Sequence, residues 1–199
     1  MTRITETAYQ PILHIVGNLR LDDREEILAA RGPELNWAGF AQEATMVAGN
    51  GFGWIAWRED TLEPVAAWGA YRINIGTAGC WAFGTPAWPR TVRGVTRHIR
   101  RTMIPTLLQN GFHRAECRAL EKREDTRLWL TSLGWFAEAV LSEFGVRREN
   151  FVLYAWTASH AASTHHAHHL KDNRQGELPL RYAPRRPEAA HGAVSPVLR

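Results

Sequence analysis

The stretch "GTPAWPRTVRGVTRHIRR", residues 84–101, carries five arginines directly after a tryptophan-rich apolar run. Apolar residues recur along it and beyond it every three to four positions, at Val92, Val95, Ile99, Met103 and Leu107. This spacing predicts a helix with one apolar face, and four arginines line another face: Arg90, Arg93, Arg97 and Arg101. We expect Pro105 to kink the last turns of the helix. Three interpretations of the arginines are open: a solvated helix face, a phosphate-binding turn with a helix N-terminus, or a nucleic-acid contact.

The segments on either side of this helix predict an α/β fold. Strand patterns lie at residues 11–19, 52–58, 63–73, 79–85, 112–120, 135–144 and 150–157, and helix patterns lie at residues 21–32, 36–51 and 124–134. Asp22 or Asp23 is predicted to cap the helix at residues 21–32, which Gly32 ends. Together with the arginine helix, the predicted order is βααβββαβαββ, in which central strands flank a crossover helix.

The tryptophans and cysteines are assigned mainly to the interior. Six tryptophans fall in strand or helix patterns and are expected in the core: Trp54, Trp57, Trp68, Trp81, Trp129 and Trp156. Trp88 is expected on the loop before the arginine helix, where it would stack on an adenine or anchor a protein partner. Cys80 and Cys117 lie in apolar strand patterns and are interpreted as reduced, buried thiols in a cytosolic setting.

Composition divides the chain into a domain at residues 1–157 and an arm at residues 158–199. The arm is rich in His, Pro and Arg and nearly free of aromatic residues. Of the net charge of +4, the arm contributes +3, so the domain carries only about +1 and is not a basic nucleic-acid domain by charge. The arm is therefore a further candidate for a nucleic-acid contact, beside the arginine helix. Its histidines have no cysteine partners and are expected to form no metal site. No apolar run reaches the length of about 20 residues that a membrane helix needs.

Three segments in this order resemble the GCN5-related N-acetyltransferase (GNAT) family. They are residues 84–101, "HRAECRAL" at 113–120 and "DTRLWLTSLGW" at 125–135, and the resemblance covers residues 12–157. It implies a GNAT-like α/β fold with a mixed central sheet flanked by helices, extended here by the C-terminal arm. It also implies acetyl-CoA as cofactor, with its pyrophosphate held at a glycine turn by Arg90, Thr91, Arg93, Gly94, Val95 and Thr96.

The chain departs from the family pattern at functional positions. Thr91 stands where the family places Arg or Gln, and Thr96 stands where it places a small residue. Leu130 occupies the position at which many members have a tyrosine that acts as a general acid. A base would have to be Glu116 or His113, on or next to the strand at 112–120. Motifs of serine hydrolases and of Walker-type nucleotide-binding loops are missing from the sequence.

The tyrosine-free segment at 125–135 and "NLRLDDREEILAA" at residues 18–30 resemble GNAT-like proteins encoded by tailed bacteriophages, including internal virion proteins of podoviruses. This resemblance implies a catalytically degenerate structural or internal component of a phage particle. Residues 158–199 would dock to other virion proteins or to copies of the same chain, and the protein would reside in the virion or in the cytoplasm of the infected host. The alternative is an acetyl-CoA-dependent N-acetyltransferase that acts on an amine. If the site is inactive, no cofactor is expected.

Overall fold

The computed structural model describes residues 2–160. Its strands are β1 (Thr2–Glu6), β2 (Phe52–Arg58), β3 (Pro64–Asn74), β4 (Thr77–Gly84), β5 (Arg114–Leu120), β6 (Phe136–Leu141) and β7 (Phe151–Thr157). Its helices are α1 (Tyr9–Gly17), α2 (Leu21–Arg31), α3 (Trp37–Gly49), α4 (Trp88–His98), α5 (Ile104–Gln109) and α6 (Glu124–Ser132), with a π-helical turn at Ile99–Met103 between α4 and α5. None of the helices in residues 2–160 is long and apolar enough to cross a membrane. Beyond its first three positions, the predicted arm lies outside the described residues.

The strands form one mixed sheet in the order β1-β2-β3-β4-β5-β7-β6. Neighbouring strands are antiparallel except for β4 and β5, which are parallel and are connected by α4 and α5. The predicted α/β fold with a crossover helix between central strands is therefore confirmed. Residues 59–63, which connect β2 and β3, form a hairpin-length turn.

Helices cover both faces of the sheet, and each face has its own apolar core. Trp68 of β3 packs with Val95 of α4 and Leu130 of α6 on one face. Ile12 of α1 packs with Ala41 of α3 and Phe83 of β4 on the other face. Because side chains alternate along a strand, β3 and β4 contribute to both cores.

The strand predicted at residues 11–19 is wrong. This segment lies in and just after α1, and the first strand is β1, which the sequence pattern did not indicate. Ile12, Ile15 and Val16 are spaced three and one residues apart and are 0%, 0% and 4% exposed. They form one buried helical face. A short apolar run fits the period of a strand as well as that of a helix, so the element that packs against it decides which one forms.

Two smaller expectations also need correction. The disturbance expected at Pro105 takes the form of the π-helical turn that ends two residues before it. A wider turn suits this place because proline has no N–H and its ring would clash with the carbonyl four residues earlier. The predicted cap by Asp22 or Asp23 is wrong, since Arg20 is the N-cap residue of α2 and makes no side-chain capping bond. Gly32 ends that helix as predicted, at φ 96°.

Candidate functional site

The two parallel strands of the sheet separate after three paired positions. Thr77 pairs with Arg114, Ala78 pairs with Ala115 and Gly79 pairs with Glu116. Beyond Gly79 and Glu116, β4 and β5 are no longer paired, so a fork opens between them in the middle of the sheet. A cavity of about 430 Å³ lies at this fork. We call it the fork cavity.

The fork cavity reaches both faces of the sheet. Its lining includes Cys80, Cys117 and Leu130 on the side of α4 and α6, and Tyr71, Trp81 and Phe40 on the side of α3. Aromatic and aliphatic side chains dominate. The charged lining residues come from α2 and the residue before it, from α3 and from β5: Arg20, Asp23, Glu26, Arg31, Glu43 and Arg118. A concave, mainly apolar site with a few polar groups is the usual form of a small-molecule pocket.

Cys80 and Cys117 are the first residues of their strands beyond the fork, and both are free thiols. Burial raises the pKa of Cys80 to about 12, and the carboxylate of Glu116 adds to the shift. Burial also raises the pKa of Cys117 well above its ordinary value. Both groups are therefore neutral thiols at physiological pH and are poor nucleophiles there.

One group of charged residues in the lining of the fork cavity is centred on Asp23 of α2. Its side chain is 5% exposed and accepts a hydrogen bond from the backbone N–H of Gly84 at 2.8 Å. The same carboxylate lies 2.8 Å from Arg20 Nε and 3.2 Å from a guanidinium nitrogen of Arg123, which is itself 5% exposed. Arg123 also donates two hydrogen bonds to Asp125, at 2.9 and 3.0 Å. Both carboxylate oxygens of Asp23 therefore face a backbone or guanidinium donor.

Glu26, one turn further along α2, completes this group. Its carboxylate accepts a hydrogen bond from the backbone N–H of Leu120 at 3.0 Å and lies 3.6 Å from Arg123. Burial raises its pKa from 4.5 to about 7, against the opposing effect of Arg123. Glu26 is thus a titratable carboxyl on the wall of the fork cavity.

The turn from β4 into α4 is where the resemblance places the pyrophosphate. Pro86 and Pro89 have no N–H, and the other backbone N–H groups of residues 84–90 are donated within the protein. Gly84 donates to Asp23, Thr85 to the carbonyl of Val65, Ala87 to the hydroxyl of Thr85, Trp88 to the carbonyl of Thr85, and Arg90 to the carbonyl of Ala87. A helix N-terminus binds phosphate through free N–H groups. The residues at this turn therefore do not fit the pyrophosphate of coenzyme A.

The six predicted cofactor residues lie inside α4 and not in a turn. The expected glycine turn around Gly94 is wrong, since Gly94 is in the seventh position of the helix. A Cβ atom on Gly94 would lie 2.6 Å from the Cβ and Oγ1 atoms of Thr2, so this glycine allows β1 to approach the helix closely. That six residues including Arg90 and Arg93 bind coenzyme A remains a prediction.

Among these six residues, the threonine and valine side chains contact the protein interior, whereas the two arginine side chains face solvent. Thr91 and Val95 are buried, and the Thr91 hydroxyl donates to the carbonyl of Trp88 at 3.1 Å. Thr96 accepts a hydrogen bond from Trp129 Nε1 at 3.0 Å. Arg90 and Arg93 are exposed. The threonines that replace the family's residues therefore have structural partners within the protein.

Glu116, the candidate base, lies at the last paired position of the fork. It forms ion pairs with Arg114 at 3.3 Å and Arg118 at 3.8 Å, and its side chain is 17% exposed. Across the fork, the ring of Tyr71 covers Gly79 so closely that a Cβ atom there would lie 2.5 Å from the tyrosine Cζ. The alternative base, His113, lies against Gly76 before the start of β5, on the closed side of the fork.

Leu130 of α6 and Trp88, which contacts α6, are both buried in the structure. Leu130 is 6% exposed and lines the fork cavity, so an apolar group stands where the family tyrosine was sought. Trp88 is 7% exposed and is the first residue of α4, with its ring 5.3 Å from that of Trp129. The loop position expected for Trp88 is wrong because the helix begins two residues before Arg90 and buries the indole.

Sequence reasoning did not identify Arg123, Glu26 or Tyr71 as site residues. Asp23 and Arg123 are 100 positions apart, and no local pattern indicates their contact. The four acids in "LDDREE" could have indicated such a site. One or two acids in the first turn are enough to favour the helix N-terminus, so the other acids are available for ion pairs or a binding site.

No protein-family model matches the chain, and no curated protein matches its sequence. Solved structures do match its fold. A GCN5-related N-acetyltransferase from Kribbella flavida is 17% identical, with a TM-score of 0.60 over 78% of this chain and 97% of the other. A GNAT superfamily phosphinothricin acetyltransferase from Sinorhizobium meliloti, solved in complex with AcCoA, is 12% identical, with a TM-score of 0.61 over 78% and 88% of the two chains. The ribosomal-protein-S5-alanine acetyltransferase from Vibrio fischeri is 12% identical, with a TM-score of 0.58 over 78% and 92%. The forked mixed sheet with its flanking helices is thus the GNAT acetyltransferase fold.

Proposed function

We propose that this chain is a GNAT-fold protein in which acetyl transfer has lapsed, and that it is a structural or internal component of a tailed-phage particle. The proposed loss of acetyl transfer rests mainly on the contact between Asp23 and Gly84. A buried carboxylate occupies the backbone N–H at the end of β4, next to the turn that a cofactor pyrophosphate would need. A phosphate brought to this turn would meet no free amide, and the two guanidinium groups nearby, of Arg20 and Arg123, already bind the Asp23 carboxylate.

The α6 side of the site supports the same proposal. Leu130 cannot donate a proton to a leaving thiolate. Cys80 and Cys117 are poor substitutes, because burial raises the pKa of each thiol and so makes it a weaker acid. The role in a particle is supported by the sequence resemblance to phage-encoded members. Residues 158–199 would supply the contacts to other virion proteins or to further copies of the chain.

A thermal-unfolding titration of the full chain with acetyl-CoA tests the loss of the cofactor site. A ligand at about a hundred times its Kd stabilises the native state by about 2.7 kcal/mol, which is several degrees in Tm for a domain of this size. We expect no shift up to about 1 mM acetyl-CoA. A saturable shift at micromolar ligand would contradict the proposal. Removing residues 158–199 tests the second part, since it should abolish incorporation into particles and leave the melting temperature of the domain unchanged.

The alternative function is an acetyl-CoA-dependent N-acetyltransferase, and the fork cavity is the observation that favours it. The cavity is mainly apolar and has lining residues on both faces of the sheet, and Cys117, the residue after Glu116, is one of them. Its walls fit the pantetheine arm even though the phosphate turn does not fit. In this function Glu116, or a water beside it, accepts the proton of the acceptor amine. Thiol release from acetyl-CoA over a panel of amines, with Glu116→Gln against Glu138→Gln, tests it. Both glutamates pair with Arg114, but only Glu116 lies at the fork.

A further inference from the structure

One exposed surface extends beyond the site of either proposed function, although two of its residues, Arg90 and Arg93, also belong to the predicted cofactor set. Arg90, Arg93, Arg97 and Arg101 are all exposed and lie three, four and four residues apart along α4 and the π-helical turn. This spacing puts them on one side of the helix. At a rise of 1.5 Å per residue, the row is about 16 Å long. We call it the arginine face.

The arginine face is rich in charge without ion pairs, although Arg90 at its end lines a surface pocket together with Glu59 and Asp60. Residues 64–115 contain seven arginines and no aspartate or glutamate. No member of the face forms an ion pair with a residue in the range 2–160. Seven arginines on other elements each lie within 4 Å of a carboxylate: Arg20, Arg31, Arg58, Arg114, Arg118, Arg123 and Arg127.

Acidic residues are concentrated on other elements. Asp22, Asp23, Glu25 and Glu26 lie on α2 and Glu43 lies on α3, whereas α4 packs on the opposite face of the sheet from α3. On the face of the sheet that α4 covers, α6 carries Glu124 and Asp125, which pair with Arg127 and Arg123. The domain's small net charge, which argued against nucleic acid at the level of sequence, is therefore an average over unevenly distributed charges. Local potential, rather than net charge, determines how a polyanion is attracted.

We propose that the arginine face binds the phosphate backbone of a nucleic-acid duplex without reading its sequence. About 16 Å of duplex presents roughly nine phosphate charges. A row of four guanidinium groups of this length therefore has a phosphate available for each arginine. Arginine is suited to this contact because its planar group donates two hydrogen bonds to one phosphate. A single strand is a poorer match, since it needs aromatic platforms and Trp88, the one tryptophan, tyrosine or phenylalanine of α4, is buried.

The test is fluorescence anisotropy of the full chain with a labelled duplex of about 20 base pairs and mixed sequence. Neutralising about four phosphates gives a slope of log K against log salt of about −3.6, so affinity should fall roughly 100-fold between 50 and 200 mM salt. The variant Arg90→Gln/Arg93→Gln/Arg97→Gln/Arg101→Gln should lose most of this slope. The matched control, Lys171→Gln/Arg181→Gln/Arg185→Gln/Arg186→Gln, removes four charges from the arm and should retain it. Melting temperatures of both variants establish that they are folded.

Three results would overturn the proposal. An unchanged slope in the arginine-face variant, with the slope lost in the arm variant, would assign binding to the arm. Binding of poly-L-glutamate but not of the duplex would indicate an acidic protein partner. Displacement of the duplex by about 1 mM coenzyme A would assign Arg90 and Arg93 to the cofactor. The acetyl-CoA titration tests the lapsed cofactor site separately, because the arginine face binds or fails to bind a duplex whatever its outcome.

Discussion

Asp23 of α2 and Gly84 of β4, 61 residues apart in sequence, are joined by a hydrogen bond of 2.8 Å from the backbone N–H of Gly84 to the Asp23 carboxylate. The carbonyl of Gly84 in turn accepts a hydrogen bond of 2.9 Å from the N–H of Arg20. The end of β4 is thereby tied to the start of α2 through both of its backbone polar groups. The backbone polar groups of Gly84, beside the turn into α4, are thus both engaged within the protein.

Replacing Asp23 with Ala should destabilise the protein by about 3 kcal/mol or more. The change leaves the Gly84 N–H without an acceptor and Arg123 buried without one of its carboxylates, and removing one partner of a buried ion pair is among the costliest substitutions. Urea unfolding measures the effect. Asp22→Ala is the control, since this neighbour is exposed and should change the free energy of unfolding by less than about 0.5 kcal/mol. Equal effects at the two positions would contradict the pairing.

Glu26 should make the protein less stable as pH rises from about 4.5 to about 7. Burial raises its pKa to about 7 in the folded state, so in this range the folded protein holds a proton that the unfolded chain releases. The groups that face it are Arg123, Arg20 and Asp23, and the two arginines only partly oppose the effect of burial. Glu26→Gln removes this titration while keeping an acceptor for the Leu120 N–H.

The stability of Glu26→Gln relative to the wild type should therefore increase between pH 4 and pH 8 by up to about 3 kcal/mol. Urea unfolding across this range gives the difference directly. Glu25→Gln is the control, because Glu25 is exposed and paired with Lys122. A flat difference for Glu26→Gln would mean that the carboxyl titrates normally.

Local patterns predicted the elements that have strong periodicity or clear ends. Gly32 ends α2 and Gly134 follows α6, both at positive φ, as their positions in sequence indicated. Predictions failed where a tertiary contact decides. The apolar run at residues 11–19 became helical because α3 offers Ile12 and Ile15 a matching face. Gly94 was assigned to a phosphate turn because its contact, Thr2, lies 92 positions earlier and leaves no local signal.

The thiols of Cys80 and Cys117 should react slowly with iodoacetamide in the native protein. With a pKa of about 12, roughly one Cys80 in ten thousand is a thiolate at pH 8, against about a quarter for an ordinary cysteine. Mass spectrometry should show alkylation slower by about three orders of magnitude than in guanidinium chloride. Native alkylation within minutes would show that the fork cavity exposes a thiolate.

Gly94→Ala should destabilise the protein by about 1 kcal/mol, although alanine is the better helix former. The helical preference of alanine contributes about 1 kcal/mol in its favour. Overpacking costs about 1–3 kcal/mol, and here the added methyl group would lie 2.6 Å from the Cβ and Oγ1 atoms of Thr2. Gly17→Ala is the matched control in α1, where nothing lies within 4 Å of the added atom, and it should stabilise by about 0.5 kcal/mol. Urea unfolding of Gly94→Ala, Thr2→Gly and the double variant should give a coupling of at least about 1 kcal/mol. If Gly94→Ala stabilises as much as Gly17→Ala, β1 does not press against α4, and the reason for a glycine at position 94 must be sought on the outer surface of the helix.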